Sequence, residues 1–401
     1  MNTIVMKFGG TSVADTDKIK NIVKIVSKEV KKNKIIVVLS AMAGETDKLQ
    51  KYLDDFKSQN SIESDLVLTS GEQVSIGLLS IALKKEGINS IPLLGWQIPI
   101  ITDDNHEKAK ILKIDKNRIN NFFENNDVIV LAGFQGISVN GNITSLGRGG
   151  SDTTAVAIAS AVEAERCDIY TDVEGVYTTD PNIEKSAKKI SKLSYEEMLE
   201  MSSTGAKVLH TRSVELAMKN NLTLQVLSSL TKKSGTFIVD EKKLIEKEIV
   251  SGVSYSKNEA KVTISGILDK PGISAKIFSL MSENNINVDM IVQNISQDGI
   301  LANITFTINQ KDYDLTKSVL ENNNNELDYK SLSLDKNVAK ISVIGMGMMS
   351  QSGVAEKMFK TLAKNTINIL AISTSEIKIS VLIDEKYTNI AVKSLHEVYN
   401  L

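Results

Sequence analysis

Short, uninterrupted apolar runs alternate with helical patterns over about the first 240 of the chain's 401 residues. Residues 4–8, 35–39, 91–94, 128–132, 168–170 and 222–226 lack the polar alternation of a half-exposed strand. They predict strands buried on both faces of a sheet. Between them, residues 16–31, 72–85, 153–164 and 206–219 carry helical spacing of apolar positions. This alternation predicts an α/β fold, an αβα sandwich around a mainly parallel sheet, over residues 1–245. The Lys-rich face of the first helical stretch reads as a solvated helix face.

Beyond the charged stretch 240–248 the texture changes, and the chain repeats itself with an offset of 81 residues. Gly272 pairs with Gly353, Lys276 with Lys357, Phe278 with Phe359, Ile286 with Ile367 and Asn287 with Asn368. Two repeats are too few for a solenoid. They predict two small ferredoxin-like βαββαβ modules, 259–334 and 335–401. The second lacks a final strand of its own, and the strand-like run 249–255 is expected to complete it, leaving the first module inserted within the second. The alternative, a truncated module, would expose a sheet edge to aggregation.

Composition narrows the functions. Aromatic residues are 5% of the chain, too few for base-stacking platforms. A net charge of −2 offers no general attraction to nucleic acid or to an anionic membrane. Cys167 stands alone, which excludes an internal disulfide framework and fits a reducing cytoplasm. With His106, His210 and His396 scattered, no structural zinc site is expected. No unbroken apolar run approaches the roughly 20 residues that span a bilayer, and no signal-peptide pattern opens the chain.

The candidate chemistry sits in glycine-rich segments. Lys7-Phe8-Gly9-Gly10-Thr11-Ser12 follows the first strand, and its amides and lysine suit an anion. Alone, such a segment is as readily a tight turn, and the Walker spacing is absent. Ser145-Leu146-Gly147-Arg148-Gly149-Gly150-Ser151-Asp152 opens a helix, whose N-terminus favours phosphate, while Arg148 can grip a carboxylate. Capping by Asp152 would account for one of these residues but not for Gly-Arg-Gly-Gly. The segment from Thr171 to Pro181 follows another buried strand, where open α/β sheets bind ligands. Gly205-Ala206-Lys207 is expected to open a helix with a further phosphate-facing lysine. Gly345-Met346-Gly347-Met348-Met349-Ser350 half-matches a dinucleotide fingerprint, but lacks the third glycine and the acidic partner. It reads as the first turn of the second module.

Together these segments resemble the aspartate kinase family, an amino-acid-kinase fold with two C-terminal ACT modules. Ser40-Ala41-Met42-Ala43-Gly44-Glu45-Thr46 and Ser70-Gly71-Glu72 add to the likeness, as do Gly95-Trp96-Gln97 and Ile101-Thr102-Asp103-Asp104. The resemblance covers essentially the whole chain. It implies ATP-dependent phosphorylation of L-aspartate to 4-phospho-L-aspartate, the first step towards lysine, threonine and methionine, with Mg²⁺ as companion ion. Lys7 and Asp152 would be catalytic. Ser40, Thr46, Glu72, Arg148 and Ser151 would hold aspartate, with Arg148 on a carboxylate and Glu72 on the α-ammonium. Lys7, Gly9, Gly10, Thr171, Asp172, Tyr177 and Lys207 would surround ATP. The direct metal ligands stay open. The family commonly has arginine after its Asp-Pro pair, where this chain has Asn182.

For the C-terminal half the resemblance implies feedback by lysine, alone or with threonine, at paired ACT modules. Asp269, Asp289, Gln293 and Asn294 are the candidate effector residues, and a homodimer or dimer of dimers is implied. Three other readings compete: a glutamate-type kinase, a catalytically silent amino-acid sensor, and a dehydrogenase. Lys7 and Asp152 speak against the sensor, and the incomplete fingerprint against the dehydrogenase.

Overall fold

The structure is a computed structural model that describes residues 1–205, 208–231, 233–244 and 248–401, with Ser350 described by its backbone alone. Contacts divide it into two compact units. The first is Met1–Val176, Lys189–Ser202 and Lys207–Ile245; the second is Tyr177–Lys188, Ser203–Ala206 and Glu246–Leu401. The division differs from a single break near residue 245, because two short segments of the N-terminal half pack with the C-terminal modules.

In the first unit an eight-stranded sheet runs Lys192–Ser194, Thr236–Val239, Leu224–Ser228, Arg166–Thr171, Asn2–Phe8, Asn33–Leu39, Val128–Ala132, Ser90–Leu93. Its six strands from Leu224–Ser228 to Ser90–Leu93 pair in parallel, and Thr236–Val239 joins them antiparallel. The central strands read as continuous apolar runs because both of their faces are covered. Ile35 to Leu39 and Val128 to Ala132 are fully buried.

One face is covered by Thr16–Glu29, which turns Ile19, Ile22, Val23 and Val26 inward, and by Gly71–Lys85, which turns in Ile76, Leu79 and Leu83. Packing against the sheet is supplied elsewhere by Gly150–Ala161, nearly every residue of which is buried. Its Gly, Ser, Thr and Ala content leaves it no polar stripe and permits close approach to its neighbours.

Sequence patterns did not anticipate a second, four-stranded sheet, in order Ile111–Ile114, Ile100–Thr102, Gln135–Ser138, Ile143–Ser145. Strands of three or four residues carry too little period to read. The helix expected over 206–219 begins at Thr211, with His210 at its N-cap; Ala206 and Lys207 lie outside the described residues. By length and composition, Ile62–Lys85 is apolar enough to cross a membrane, although polar and charged residues break it so that no uninterrupted apolar run approaches that length. It is two helices meeting at Thr69 and Ser70, with Asp65 and Glu72 buried and Leu79 and Leu83 in the core.

The second unit is one six-stranded sheet: Val288–Ile295, Leu301–Asn309, Gly252–Leu268, Ser331–Ile344, Lys378–Asp384, Ala371–Thr374. Two long strands are shared between its halves. Val262 to Ser265 pair with Leu334 to Ser331, while Gly252 to Ser256 pair with Ile344 to Lys340. The first pairing lies in the module that contains Leu301–Asn309, the second in the module that contains Lys378–Asp384. The strand expected over 249–255 is therefore the beginning of a 17-residue strand that starts at Gly252.

The 81-residue repeat is reproduced in the backbone. Gly272 and Gly353 cap their helices at φ +94° and +92°, and Ile273, Ile277 and Met281 occupy the places of Val354, Met358 and Leu362. The half-fingerprint at Gly345 is an extended glycine followed by the 3-10 turn Met346–Ser350, with no helix opening on it.

Candidate active site

The glycine segments meet at the C-terminal ends of the parallel strands, where open α/β sheets bind ligands. Lys7 lies in register with Val38 and Ile169 on the neighbouring strands. Its Nζ is 2.6 Å from Asp152 Oδ1, in the first turn of Gly150–Ala161, and both side chains are nearly enclosed. A Cβ on Gly9 would stand 3.3 Å from Lys7 Nζ, so glycine there leaves space for the ammonium. Ser151 is buried beside Gly133; a Cβ on Gly133 would come within 2.8 Å of Ser151 Cβ and 3.0 Å of the Leu39 carbonyl.

Ser40 follows the next strand, and its backbone N–H donates to Phe8 O at 3.2 Å. The Ser75 hydroxyl donates to Ser40 O at 2.9 Å, tying this turn to the helix that carries Glu72. Glu72 is 2% exposed. One of its oxygens accepts from Ala41 N at 3.0 Å, and the other has no partner among the described residues. Burial pushes its carboxyl up to about 8, against the opposing pull of the Ala41 amide. A buried carboxyl so placed ionises at neutral pH only when a cation arrives beside it.

Arg148 sits on the turn before the helix and is exposed, and among the described residues it makes no ion pair. The backbone around it is held tightly. Arg212 donates through its two terminal nitrogens to Leu146 O and Ala109 O, both at 2.8 Å. Asp65, fully buried, accepts from Ser145 Oγ and from Glu107 N, and pairs with His106 Nδ1 at 2.7 Å. Gly149 adopts φ +71°, and a Cβ there would come within 2.3 Å of His210 Cγ. The arginine is thus presented outward from a rigid turn.

At the end of Arg166–Thr171, the Thr171 hydroxyl donates to Asp172 Oδ1 at 2.9 Å. Ser229 bridges this end to the first glycine segment: its N–H donates to Thr171 O at 2.9 Å, and its hydroxyl accepts from Ser12 Oγ at 2.8 Å. Phe8 and Tyr170 stack beneath, with centroids 4.4 Å apart. The structure therefore brings together Lys7, Gly9, Ser151 and Asp152, places Gly10 against the Ala41 carbonyl, and joins Ser40 to Glu72 through Ala41 and Ser75. Thr46 is exposed on the first turn of Glu45–Phe56. Tyr177 belongs to the second unit, and Lys207 lies outside the described residues.

Ser12, Ser229, Asp65, His106, His210 and Arg212 were not foreseen. Each acts across a long sequence interval, so no local pattern marks it.

In the second unit, Asp269 and Gln293 come together around a cavity of about 330 Å³ that Pro271, Gly272 and Ser274 also line. Gln293 accepts from Ser274 Oγ at 3.1 Å and donates to Asp269 at 3.4 Å. Asp289 lies elsewhere, paired at 2.5 Å with Lys340 Nζ, which also reaches Glu259 at 3.2 Å. Burial alone would depress the Lys340 ammonium; the two carboxylates reverse this and hold it above its ordinary range. Asn294 is exposed, in register with Asn303.

A model described as the amino acid kinase family matches residues 2–228, and an ACT domain model matches 262–323 and 341–399. The aspartate kinase of Pseudomonas putida is 47% identical over 408 aligned residues, which take in 100% of this chain and 98% of that one. The chain belongs to the aspartokinase family. It is accordingly a kinase, with the two ACT regions that the resemblance implied. Among solved structures, E. coli aspartokinase III in complex with aspartate and ADP (R-state) is 25% identical, covers 99% of each chain and superposes with a TM-score of 0.81. The same enzyme in complex with lysine and aspartate (T-state) covers 98% of this chain and 99% of its own, at 26% identity and a TM-score of 0.77.

Gly149 is the sharpest test of this aspartokinase site. Gly149→Ala forces a side chain into a left-handed backbone, at about 1–2 kcal/mol, and against the His210 ring. Steady-state kinetics are expected to show kcat/KM reduced by at least about tenfold, while thermal denaturation shifts by only about 2–4 °C.

Proposed function

We propose that this kinase transfers the γ-phosphoryl group of ATP to the β-carboxylate of L-aspartate, giving 4-phospho-L-aspartate and ADP, and that lysine, alone or with threonine, restrains it through the ACT modules. Glu72 carries the choice of substrate. A carboxylate so deeply buried, with one oxygen free beside the phosphate-type loops, calls for an ammonium, and an amino acid supplies one. The E. coli relative's complex with aspartate and ADP supports the same pairing of ligands.

The nucleophile needs no general base, because a side-chain carboxylate is ionised at neutral pH. What must be overcome is repulsion between two anions as the carboxylate oxygen bonds to the γ-phosphorus and the bond to the ADP oxygen breaks. Lys7 offers charge at that point, anchored by Asp152, while the N-terminus of Gly150–Ala161 adds partial positive charge. Arg148 would hold a substrate carboxylate with Thr46, Ser40 and Ser151 nearby in the sequence segments. Gly9, Gly10, Thr171, Asp172, Tyr177 and Lys207 would face the nucleotide.

Mg²⁺ fits this donor set as a cation carried on the nucleotide phosphates. Among the described residues no three His, Cys, Asp or Glu side chains gather as a cage, and magnesium is commonly held by one or two carboxylates plus phosphate. Asp152 and Asp172 are the carboxylates available to it. It would supply charge neutralisation on the phosphates.

Three outcomes are expected. Lys7→Ala should lower kcat by about 10²–10³ while KM for aspartate changes by less than about threefold. An ADP-release assay with saturating aspartate reads this, and an unchanged kcat rejects the role.

Glu72 gives a pH signature. Its carboxyl is raised from 4.5 to about 8, so the empty site holds a proton at neutral pH and an ammonium enters as that proton leaves. Affinity for aspartate should therefore rise with pH up to about 8, by as much as about tenfold per pH unit, then level off. The slope should vanish in Glu72→Gln. The sign is opposite for stability: the folded state holds the proton more tightly, so the unliganded fold loses stability as pH climbs from 4.5 towards 8.

Titrating activity with lysine and with threonine tests the regulatory half. Inhibition by lysine is expected, with coupling of about 1–3 kcal/mol. The E. coli relative's complex with lysine supports this expectation. Indifference to both amino acids would leave the ACT modules without a regulatory role.

A further inference from the structure

The chain after Arg166–Thr171 forms a loop with two moorings. Its base belongs to the first unit: Val176 N donates to Thr236 Oγ1 at 2.9 Å, and Ile190 N to Val176 O at 2.9 Å. Its body, Tyr177–Lys188, belongs to the second unit. There Val253 N donates to Thr178 O at 2.7 Å. The Thr178 hydroxyl meets His396 Nε2 at 2.9 Å and accepts from Lys188 N at 3.0 Å. The Tyr255 hydroxyl donates to Asp180 Oδ2 at 2.9 Å, while Asn182 N donates to the other oxygen at 2.8 Å. Ile183 packs on the core of the second module. Thr178, Thr179 and His396 are all buried.

We propose that Tyr255 and His396 are positioning residues for the nucleotide: by holding Asp180 and Thr178 they fix the loop whose first residues are Thr171 and Asp172, and they thereby set ATP affinity. The inference rests on reading Thr171 and Asp172 as part of the nucleotide site. An unmoored loop samples many backbone states, and nucleotide binding would have to bear the entropy of ordering it. That loss falls on binding and leaves the chemical step at Lys7 unaltered. The mooring strand Gly252–Leu268 also runs through the sheet of the first module, so a shift of that strand reaches the loop through Val253 and Tyr255.

Tyr255→Phe tests the mooring, because it deletes one hydroxyl and keeps the ring. KM for ATP and the calorimetric Kd for ATP should both rise, by about 2- to 12-fold for one lost hydrogen bond. The kcat and the KM for aspartate should stay within about twofold. Thr178→Val should move the same two constants in the same direction. Tyr313→Phe removes a hydroxyl from the first module, where Tyr313 donates to Leu334 O at 3.5 Å, and should leave ATP affinity unchanged.

Asp172→Ala separates the two levels of the inference. If it weakens ATP binding while Tyr255→Phe does not, or while Tyr313→Phe weakens it equally, the mooring is overturned and the nucleotide reading stands. If Asp172→Ala leaves ATP binding unchanged, the nucleotide reading fails and takes the mooring with it.

Discussion

A lysine at the end of a strand buried on both faces has few places to put its charge. Ile4, Val5, Met6 and Phe8 are fully buried, and Lys7 shares their strand at the centre of the sheet. A nearly enclosed ammonium is costly without an opposite charge close by, and Asp152 supplies one at 2.6 Å. Much of the surrounding composition follows from that distance. Gly150–Ala161 can lie against the sheet because its residues are small, and Gly133 is required where Ser151 and the Leu39 carbonyl crowd in. Gly9 leaves space for the ammonium itself. The pair fixes the helix N-terminus at the strand ends, so the same geometry that satisfies Lys7 aims free amides at one place.

Glu72 is the complementary case. It is more deeply buried than Asp152, yet among the described residues its side chain meets only the Ala41 amide, and one oxygen has no partner. The Lys7 ammonium is compensated from within the chain, whereas the Glu72 carboxyl, kept protonated by burial, meets no cation among the described residues. The compensated one can neutralise an anion in passing without being consumed by it. The uncompensated one favours a ligand that arrives with positive charge. In the proposed function the two together would select a zwitterion that reacts through its carboxylate, which is a narrower demand than either segment makes alone.

What was legible in the sequence was what acts locally. A buried strand followed by Gly-Gly, or by Gly-Arg-Gly-Gly and a helix start, announces itself within ten residues, and those segments do converge. The supports of that convergence act over longer intervals. Asp65 reaches His106 and Ser145, 41 and 80 residues away, and Ser12 reaches Ser229 across 217. Nothing in a window of sequence marks Asp65 as different from a solvated helix residue. The repeat was legible because both copies bury the same positions, but the shared strands were read as separate ones. The reason is the polar interruption at Ser256-Lys257-Asn258, where the ladder shifts register between Ser256 and Glu259. Asp335-Lys336-Asn337 interrupts the partner strand opposite it. A bulge between two modules and a turn between two strands carry the same residues.

The same seam separates two kinds of acidic residue that looked alike in the sequence. Asp289 and Asp269 both stood as carboxylates available to an amino-acid effector. Asp289 is already matched by Lys340, an ammonium presented from the adjoining long strand together with Glu259. An effector ammonium arriving there would have to displace a side chain that is buried, tethered and held by two carboxylates. Asp269 meets no cation among the described residues; it contacts Gln293 beside a cavity large enough for an amino acid, at about 330 Å³. The electrostatics thus separate the candidates: Asp289 pairs with Lys340 across the two halves of the sheet, while Asp269 is the one of the two that meets no cation among the described residues.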